Sequence, residues 1–422
     1  MTAVREVVSD AGRPLPIPAL TGLRMIGAGW VVVFHFQGTL YSTFPALQFF
    51  APIIGVGDFG VPLFFILSGY IIWHNYGTPS LLKVRPSVKF LWRRFARLWP
   101  VNVASQLLAI PAVWWGMEVM GNWGSPIPAW YGRLGWLQNA FMVQGFAHPE
   151  PTFPWNQPSW TLPAEMVAYV LFPGILALIL LVGIARRRVV WPWLLVALIG
   201  AWLIRTDPYA FPYRWLVDLV LFFVVGVLLR IGGLPGPRFR IPSSIVQVAA
   251  PVAIVAACYT YRFDLVPSLL AAWVWSLSAA SGPVVWLFTR RWAQIAGLSS
   301  YSLYMLHWVL FGFGYILLFY VPVIQESFMP LYVIGMLVLV TVASWATWRF
   351  FETPARRLLN RLFERIWPGP VHNELVAAGA DPVTVHEEER AEADEFVGSA
   401  EATHHEHGHH DGDQRESVDE NH

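Results

Sequence analysis

The sequence is poorest in cysteine, with Cys258 alone among 422 residues. That excludes an intramolecular disulfide framework and any multi-cysteine metal site. Charge is scarce too: 13% of residues are Asp, Glu, Lys or Arg, against about 25% in ordinary soluble proteins. Lysine is nearly missing, with Lys83 and Lys89 the only two, a bias that points to a GC-rich bacterial genome rather than to a function. No internal repeat is found, which argues against the inverted-repeat transporters. The first twenty residues lack the signal-peptide order of basic end, apolar core and small-residue cleavage site.

What is abundant is apolar and aromatic. Hydrophobic residues make up 56% of the chain, with 23 Trp and 28 Phe, and the mean hydropathy is +0.49. These values predict an all-α polytopic membrane protein. They exclude a soluble enzyme, a coiled coil or a wholly disordered chain. The formal net charge of +1 averages two unlike parts. From Val371 onward there are 15 acidic and 2 basic residues, so this tail is near −13 and the body near +14. The tail also holds 8 of the 12 histidines. Such a segment cannot bury enough apolar surface to offset its ordering entropy, and 371–422 is expected to be disordered. Three regions follow: an N-terminal segment 1–17, a membrane domain 18–360 and a tail 361–422.

A span needs about 20 mostly apolar residues. On that rule ten stretches qualify, near 21–40, 59–76, 98–116, 162–184, 189–204, 215–231, 244–261, 266–288, 300–320 and 330–350. Arginine and lysine cluster in the even loops, at Lys83 to Arg97, Arg186 to Arg188, Arg238 and Arg240, and Arg290 and Arg291. More follow the last span, at Arg356, Arg357, Arg361 and Arg365. By the positive-inside rule both termini are cytoplasmic. The longest outside loop, 117–161, is rich in Trp, Pro and Gly. It reads as an interfacial anchor, or as a sugar-binding platform.

Titratable groups at membrane depth are costly and are candidate functional residues. Here they are Arg24, His35, Glu165, Asp218 and His307. Arg24 and His35 lie eleven residues apart on one helix. Eleven steps end about 20° past three full turns, so both share a face about 16 Å apart along the axis. Arg24, near the cytoplasm, can hold a phosphate bidentately. His35, farther in, can take a proton from a nucleophile. The alternative is an arginine snorkelling to headgroups and a packing histidine.

Glu165 follows Pro158 and Pro163, which fix the start of its helix. It either favours the helix dipole or faces His35 and orients its imidazole. Tyr301, Ser302, Tyr304 and His307 crowd one and a half turns, which suggests a polar patch between helices with a structural or substrate-positioning role. Ser68 and Trp160 are further substrate-positioning candidates. Asp218 reads as the i,i+4 partner of Arg214, and Cys258 as an inert buried thiol. The tail run HHEHGHH can bind a metal weakly, but a solvated run accounts for it, and neither a metal cofactor nor a nucleic-acid partner is expected.

Six segments, in order from about 18 to 360, resemble motifs of the acyltransferase 3 family of membrane acyltransferases. TGLRMIGAGWVVVFHF is similar to its opening, in which Arg or Lys, ten residues and His mark the first span. GVPLFFILSGY resembles the second-span motif, with Pro62 where many members have Asp. RRFARLWP resembles the basic motif that follows, with Arg94 and Arg97 at matching positions. PSWTLPAEMVAYVLFP resembles W-S-L-x-x-E, with Thr161 for Ser. LSSYSLYMLHW and FETPARRL resemble the ninth-span and closing E-x-P motifs.

The resemblance implies ten core spans in a bacterial cytoplasmic membrane. It implies acyl transfer from cytoplasmic acyl-CoA to a hydroxyl of a carbohydrate or glycosylated product. It marks His35 as the catalytic histidine and Arg24, Arg94 and Arg97 as donor-binding candidates. In that scheme Glu165 orients His35, and Ser68, Tyr301 and Tyr304 are candidate oxyanion donors. Direct transfer and an acyl-enzyme intermediate both remain open. The rival reading is a proton-coupled transporter or flippase of a glycan or lipid, since carriers also place Arg, His and Glu in the membrane.

Overall fold

The structure is a computed structural model that describes residues 15–120, 132–146, 155–183, 187–206, 212–233 and 240–368. The tail from 371 and parts of the 117–161 loop lie outside the described residues, so the expectations placed on them go no further here. The chain divides into two units, Met1–Leu358 and Leu359–His422. The described residues form helices: α1 (Pro18–Thr43), α2 (Ala51–Ile54), α3 (Gly60–Tyr76), α4 (Val84–Met120), α5 (Arg133–Ala140), α6 (Leu162–Val182), α7 (Arg187–Thr206), α8 (Arg214–Gly232), α9 (Arg240–Tyr259), α10 (Val266–Leu277), α11 (Pro283–Phe288), α12 (Arg291–Leu298), α13 (Ser300–Tyr320), α14 (Met329–Thr347) and α15 (Thr353–Ile366). No strand occurs among the described residues. The molecule is therefore an all-α, multi-pass membrane protein. Six helices among the described residues are long and apolar enough to cross a bilayer, or seven if the bent pair Pro45–Ile54 and Gly57–Tyr76 counts as one span.

Two sequence readings need correction. The basic stretch before the third candidate span is not a loop. It forms the first part of α4, one helix of 37 residues. At 1.5 Å per residue α4 is about 55 Å long, far more than a hydrocarbon core of about 30 Å. Its Arg and Lys residues all lie in its first half, and the same helix continues into the apolar stretch.

The candidate span 266–288 is also not continuous. It breaks between α10 and α11, where Gly282 takes φ 149° and Pro283 starts a new helix. Proline cannot extend the preceding helix, but it suits a first turn. The break leaves backbone groups unpaired, which is costly in a membrane. Gln247 on α9 serves both sides of it. Its Nε2 donates to Ser276 O (3.2 Å) and Ser281 O (3.3 Å), while Val284 N and Val285 N donate to its Oε1 at 3.3 and 3.4 Å.

Glycine permits a very close helix contact between α3 and α8. A Cβ at Gly69 on α3 would lie 1.9 Å from Phe223 O on α8, and one at Gly226 on α8 would lie 2.0 Å from Ile66 O on α3. The two helices meet backbone to backbone, as small residues permit in membranes. This contact fixes α3, which carries Ser68, against the core.

Buried amides fix α13, which carries His307. Asn156 Nδ2 donates to Met305 O (2.8 Å) and to Ser105 Oγ on α4 (2.9 Å). Ser159 Oγ donates to Asn139 Oδ1 at 2.8 Å, and Asn102 Nδ2 to Asn139 O at 2.9 Å. Phe36 on α1 stacks on Phe311 on α13, with centroids 4.3 Å apart. The amide bonds hold α13 against α4, and the aromatic stack sets the register between α1 and α13.

Candidate active site

α1 carries both leading candidates, and its two ends meet different surroundings. At the inner part, His35 faces α13. Its Nδ1 lies 3.0 Å from Val31 O, one turn back on its own helix, and 3.1 Å from Nε2 of His307. His307 repeats the pattern, with its Nδ1 3.1 Å from Leu303 O. A backbone carbonyl only accepts, so each Nδ1 carries the proton. In the neutral pair His307 Nε2 is then an acceptor for His35 Nδ1–H. His35 Nε2 keeps its lone pair and has no hydrogen-bond partner among the described residues.

Aromatic rings enclose this pair. Phe34 and Trp308 lie edge-on to His35, with centroids at 5.0 and 5.3 Å, and Phe311 lies edge-on to His307 at 5.9 Å. His307 is fully buried, whereas His35 keeps part of its accessible surface. The imidazole with the spare lone pair is thus the one a substrate can reach.

The other end of α1 is charged. Arg24 lies within electrostatic reach of Arg97 on α4, Glu165 and Tyr169 on α6, and Glu352. Arg356 couples to Arg97 and Glu352 in the same cluster. Arg24, Arg97 and Arg356 make no ion pair or hydrogen bond among the described residues. The Nε of Arg24 is enclosed and unpartnered, although the side chain as a whole is partly accessible. Arg94 is held differently, its guanidinium over the rings of Tyr76, Phe90 and Tyr169 at 5.2, 5.6 and 5.8 Å. The arginines therefore retain donors for an anionic ligand, and two acids, the partly accessible Glu165 and the buried Glu352, temper their charge.

The structure does not bring Glu165 to His35. The Tyr169 hydroxyl, four residues on, donates to Glu165 Oε1. Ser68 Oγ lies 3.3 Å from the same tyrosine oxygen. Glu165 belongs to the arginine cluster, since its first-turn position on α6 faces Arg24. Tyr301 and Tyr304 are both buried, and their hydroxyls are engaged. Tyr301 donates to Leu98 O at 2.7 Å, tying α13 to α4, and Tyr304 pairs with Thr161 Oγ1 at 3.2 Å. Trp160 packs edge-on against Trp215 at 5.9 Å. Asp218 is buried. Among the described residues no three His, Cys, Asp or Glu side chains converge to hold a metal.

Reasoning from sequence missed Tyr169, Glu352 and Arg356. Glu352 ends a π-helical turn, Trp348–Glu352, between α14 and α15. It is buried and accepts a hydrogen bond from Ser302 Oγ at 2.6 Å. A π turn in a helix often marks a functional position. The signal in the sequence was an acid directly after the apolar last span. Arg356 follows it by four residues, one turn of helix.

Known proteins give this geometry a context. The sequence profile of the acyltransferase domain family matches residues 17–349. The chain is 25% identical over 413 residues to acyltransferase MdmB of Streptomyces mycarofaciens, covering 88% of this chain and 97% of that protein. It is 28% identical over 170 residues to peptidoglycan O-acetyltransferase OatA of Listeria monocytogenes, covering 39% of this chain and 25% of OatA. No solved structure matches the chain. The profile spans all of α1 to α14, including Arg24 and His35, and favours an enzyme over a carrier. The chain belongs to the acyltransferase 3 family and is a membrane enzyme that transfers acyl groups.

Proposed function

We propose that this enzyme transfers a short acyl group from acyl-CoA to a hydroxyl of a carbohydrate or glycosylated envelope product. The protein sits in the cytoplasmic membrane with ten spans and both termini inside. The observation that carries the reading is the free lone pair on His35 Nε2, on the same helix as Arg24, which joins arginines of neighbouring helices in a cluster with unspent donors.

The donor enters from the cytoplasmic side. Its phosphates meet Arg24, Arg94 and Arg97, and its thioester reaches toward His35. A charge-assisted hydrogen bond to such a group contributes about 1.5–3 kcal/mol. Glu165, Tyr169 and Ser68 form the wall beside Arg24, where the carboxylate balances guanidinium charge. His35 Nε2 takes the proton from the acceptor hydroxyl as the oxygen attacks the thioester carbonyl. The carbon–sulfur bond then breaks, and the departing sulfur takes the proton from His35. An ester and free CoA thiol are released, and His35 returns to neutrality.

The test is release of free thiol from acetyl-CoA by the purified enzyme, with and without carbohydrate acceptors. Acceptor-dependent thiol release, with an acetyl mass gained by the acceptor, supports the reading. Labelled glycan moving across a vesicle without thiol release would contradict it. Mass spectrometry of envelope and secreted glycans from a deletion strain identifies the acceptor, as the species that loses an acyl mass.

A further inference from the structure

We infer that His307 is the positioning residue of the catalytic base, doing for His35 what a carboxylate does for the histidine of a hydrolase triad. The inference rests on the reading of His35 as the base. It comes from the pairing of the two imidazoles at 3.1 Å, and it replaces Glu165 in that role.

The hydrogen-bond pattern leaves one arrangement for the neutral pair. Leu303 O holds the His307 proton on Nδ1, which forces the lone pair onto Nε2. That lone pair faces His35 Nδ1 and holds the His35 proton there, shared with Val31 O. The reactive nitrogen of His35 is then unprotonated before any substrate arrives. A mixed population of tautomers would leave a fraction of the enzyme with a proton on Nε2, unable to act as base.

The same contact operates after proton transfer. When the acceptor hydroxyl gives its proton to His35 Nε2, the ring becomes a cation. Its Nδ1–H still points at the His307 lone pair, which accepts it. No carboxylate hydrogen-bonds to either imidazole among the described residues. In surroundings of Phe34, Trp308 and Phe311 a hydrogen bond is electrostatically stronger than in water. A neutral acceptor also avoids placing a permanent negative charge in this apolar layer, which is expensive.

The local sequence builds the device twice. Val31 and His35, and Leu303 and His307, are each four residues apart on a helix. Each ring folds back over the preceding turn to reach the i−4 carbonyl. The Phe36–Phe311 stack, one turn along α13 from His307, sets the distance between the helices.

The test compares His307→Leu, His307→Gln and His35→Ala with the wild type, in purified enzyme of equal abundance and thermal stability. The Leu variant removes the acceptor. The Gln variant can return one, a side-chain carbonyl oxygen. The expected result is a kcat about 100-fold lower for His307→Leu with the acyl-CoA KM within about twofold, and recovery of about tenfold or more by His307→Gln. A Leu variant keeping most of its kcat would overturn the inference, as would Gln and Leu variants equally impaired. A change in donor KM with kcat intact would also overturn it. His35→Ala separates the two levels of the account. If it is inactive while His307→Leu is fully active, only the inference about His307 fails. If His35→Ala is itself active, the base assignment fails.

Discussion

The two ends of α1 are built for opposite chemistry. Around Arg24 the neighbours are charged, with Arg97 and the carboxylates Glu165 and Glu352 in electrostatic reach. Around His35 they are neutral, comprising one imidazole, one backbone carbonyl and a shell of aromatic rings. Burying charge is costly unless it is offset, and the cationic end is offset by acids and left with donors for an anion. Proton transfer needs a lone pair at a defined nitrogen, and the neutral end supplies that without a carboxylate. The comparison teaches that binding and chemistry are separated along one helix.

The largest expected effect comes from the neutral end. His35→Ala should lower kcat by about 10²–10⁴-fold while leaving donor KM near the wild-type value, read by thiol release from the purified protein. If KM rose in parallel, the two ends would not be separate.

Arg24→Ala should act in the opposite way. Losing a charge-assisted hydrogen bond of about 1.5–3 kcal/mol raises donor KM roughly 10- to 100-fold, with kcat changing little. Arg24→Lys keeps the charge but loses the planar fork, so it should recover only part of the affinity. A variant that loses kcat alone would move Arg24 out of the binding cluster.

Glu165→Gln sharpens the boundary between the ends. If Glu165 belongs with the arginines, its effect falls on donor KM and on salt dependence, and its kcat stays at least about tenfold above that of His35→Ala. A kcat loss equal to that of His35→Ala would return Glu165 to the base.

The smallest effect is expected from ending the chain at residue 370. Catalysis should survive. The tail carries 15 acidic residues, and surface charges interact over about 10 Å at 0.1 M salt. Its removal should alter the dependence of donor KM on salt more than kcat, measured across an ionic-strength series.

Much of this was legible in the sequence because it depends on one helix at a time. The spacing of Arg24 and His35 follows from 3.6 residues per turn and needs no neighbour. Nine of the ten apolar stretches each lie mainly on a single helix for the same reason, and 266–288 is the one that breaks. What escaped depends on how helices meet. Nothing in the spacing of α1 or α13 states that His35 and His307 face each other, since that register comes from contacts between the helices such as the Phe36–Phe311 stack. Glu165 was matched to His35 by its depth alone, whereas its hydrogen bond is decided by Tyr169, one turn along α6. The break at Gly282 was readable from the Ser-Gly-Pro run. An apolar window hid it, because Gln247, which makes the break tolerable, sits 35 positions upstream in the chain.

Equilibrium titration of acetyl-CoA into purified His35→Ala and Arg24→Ala tests the separation most directly. The account predicts wild-type affinity for His35→Ala and affinity at least about tenfold weaker for Arg24→Ala. Equal weakening of both variants, or loss of binding in His35→Ala alone, would contradict it.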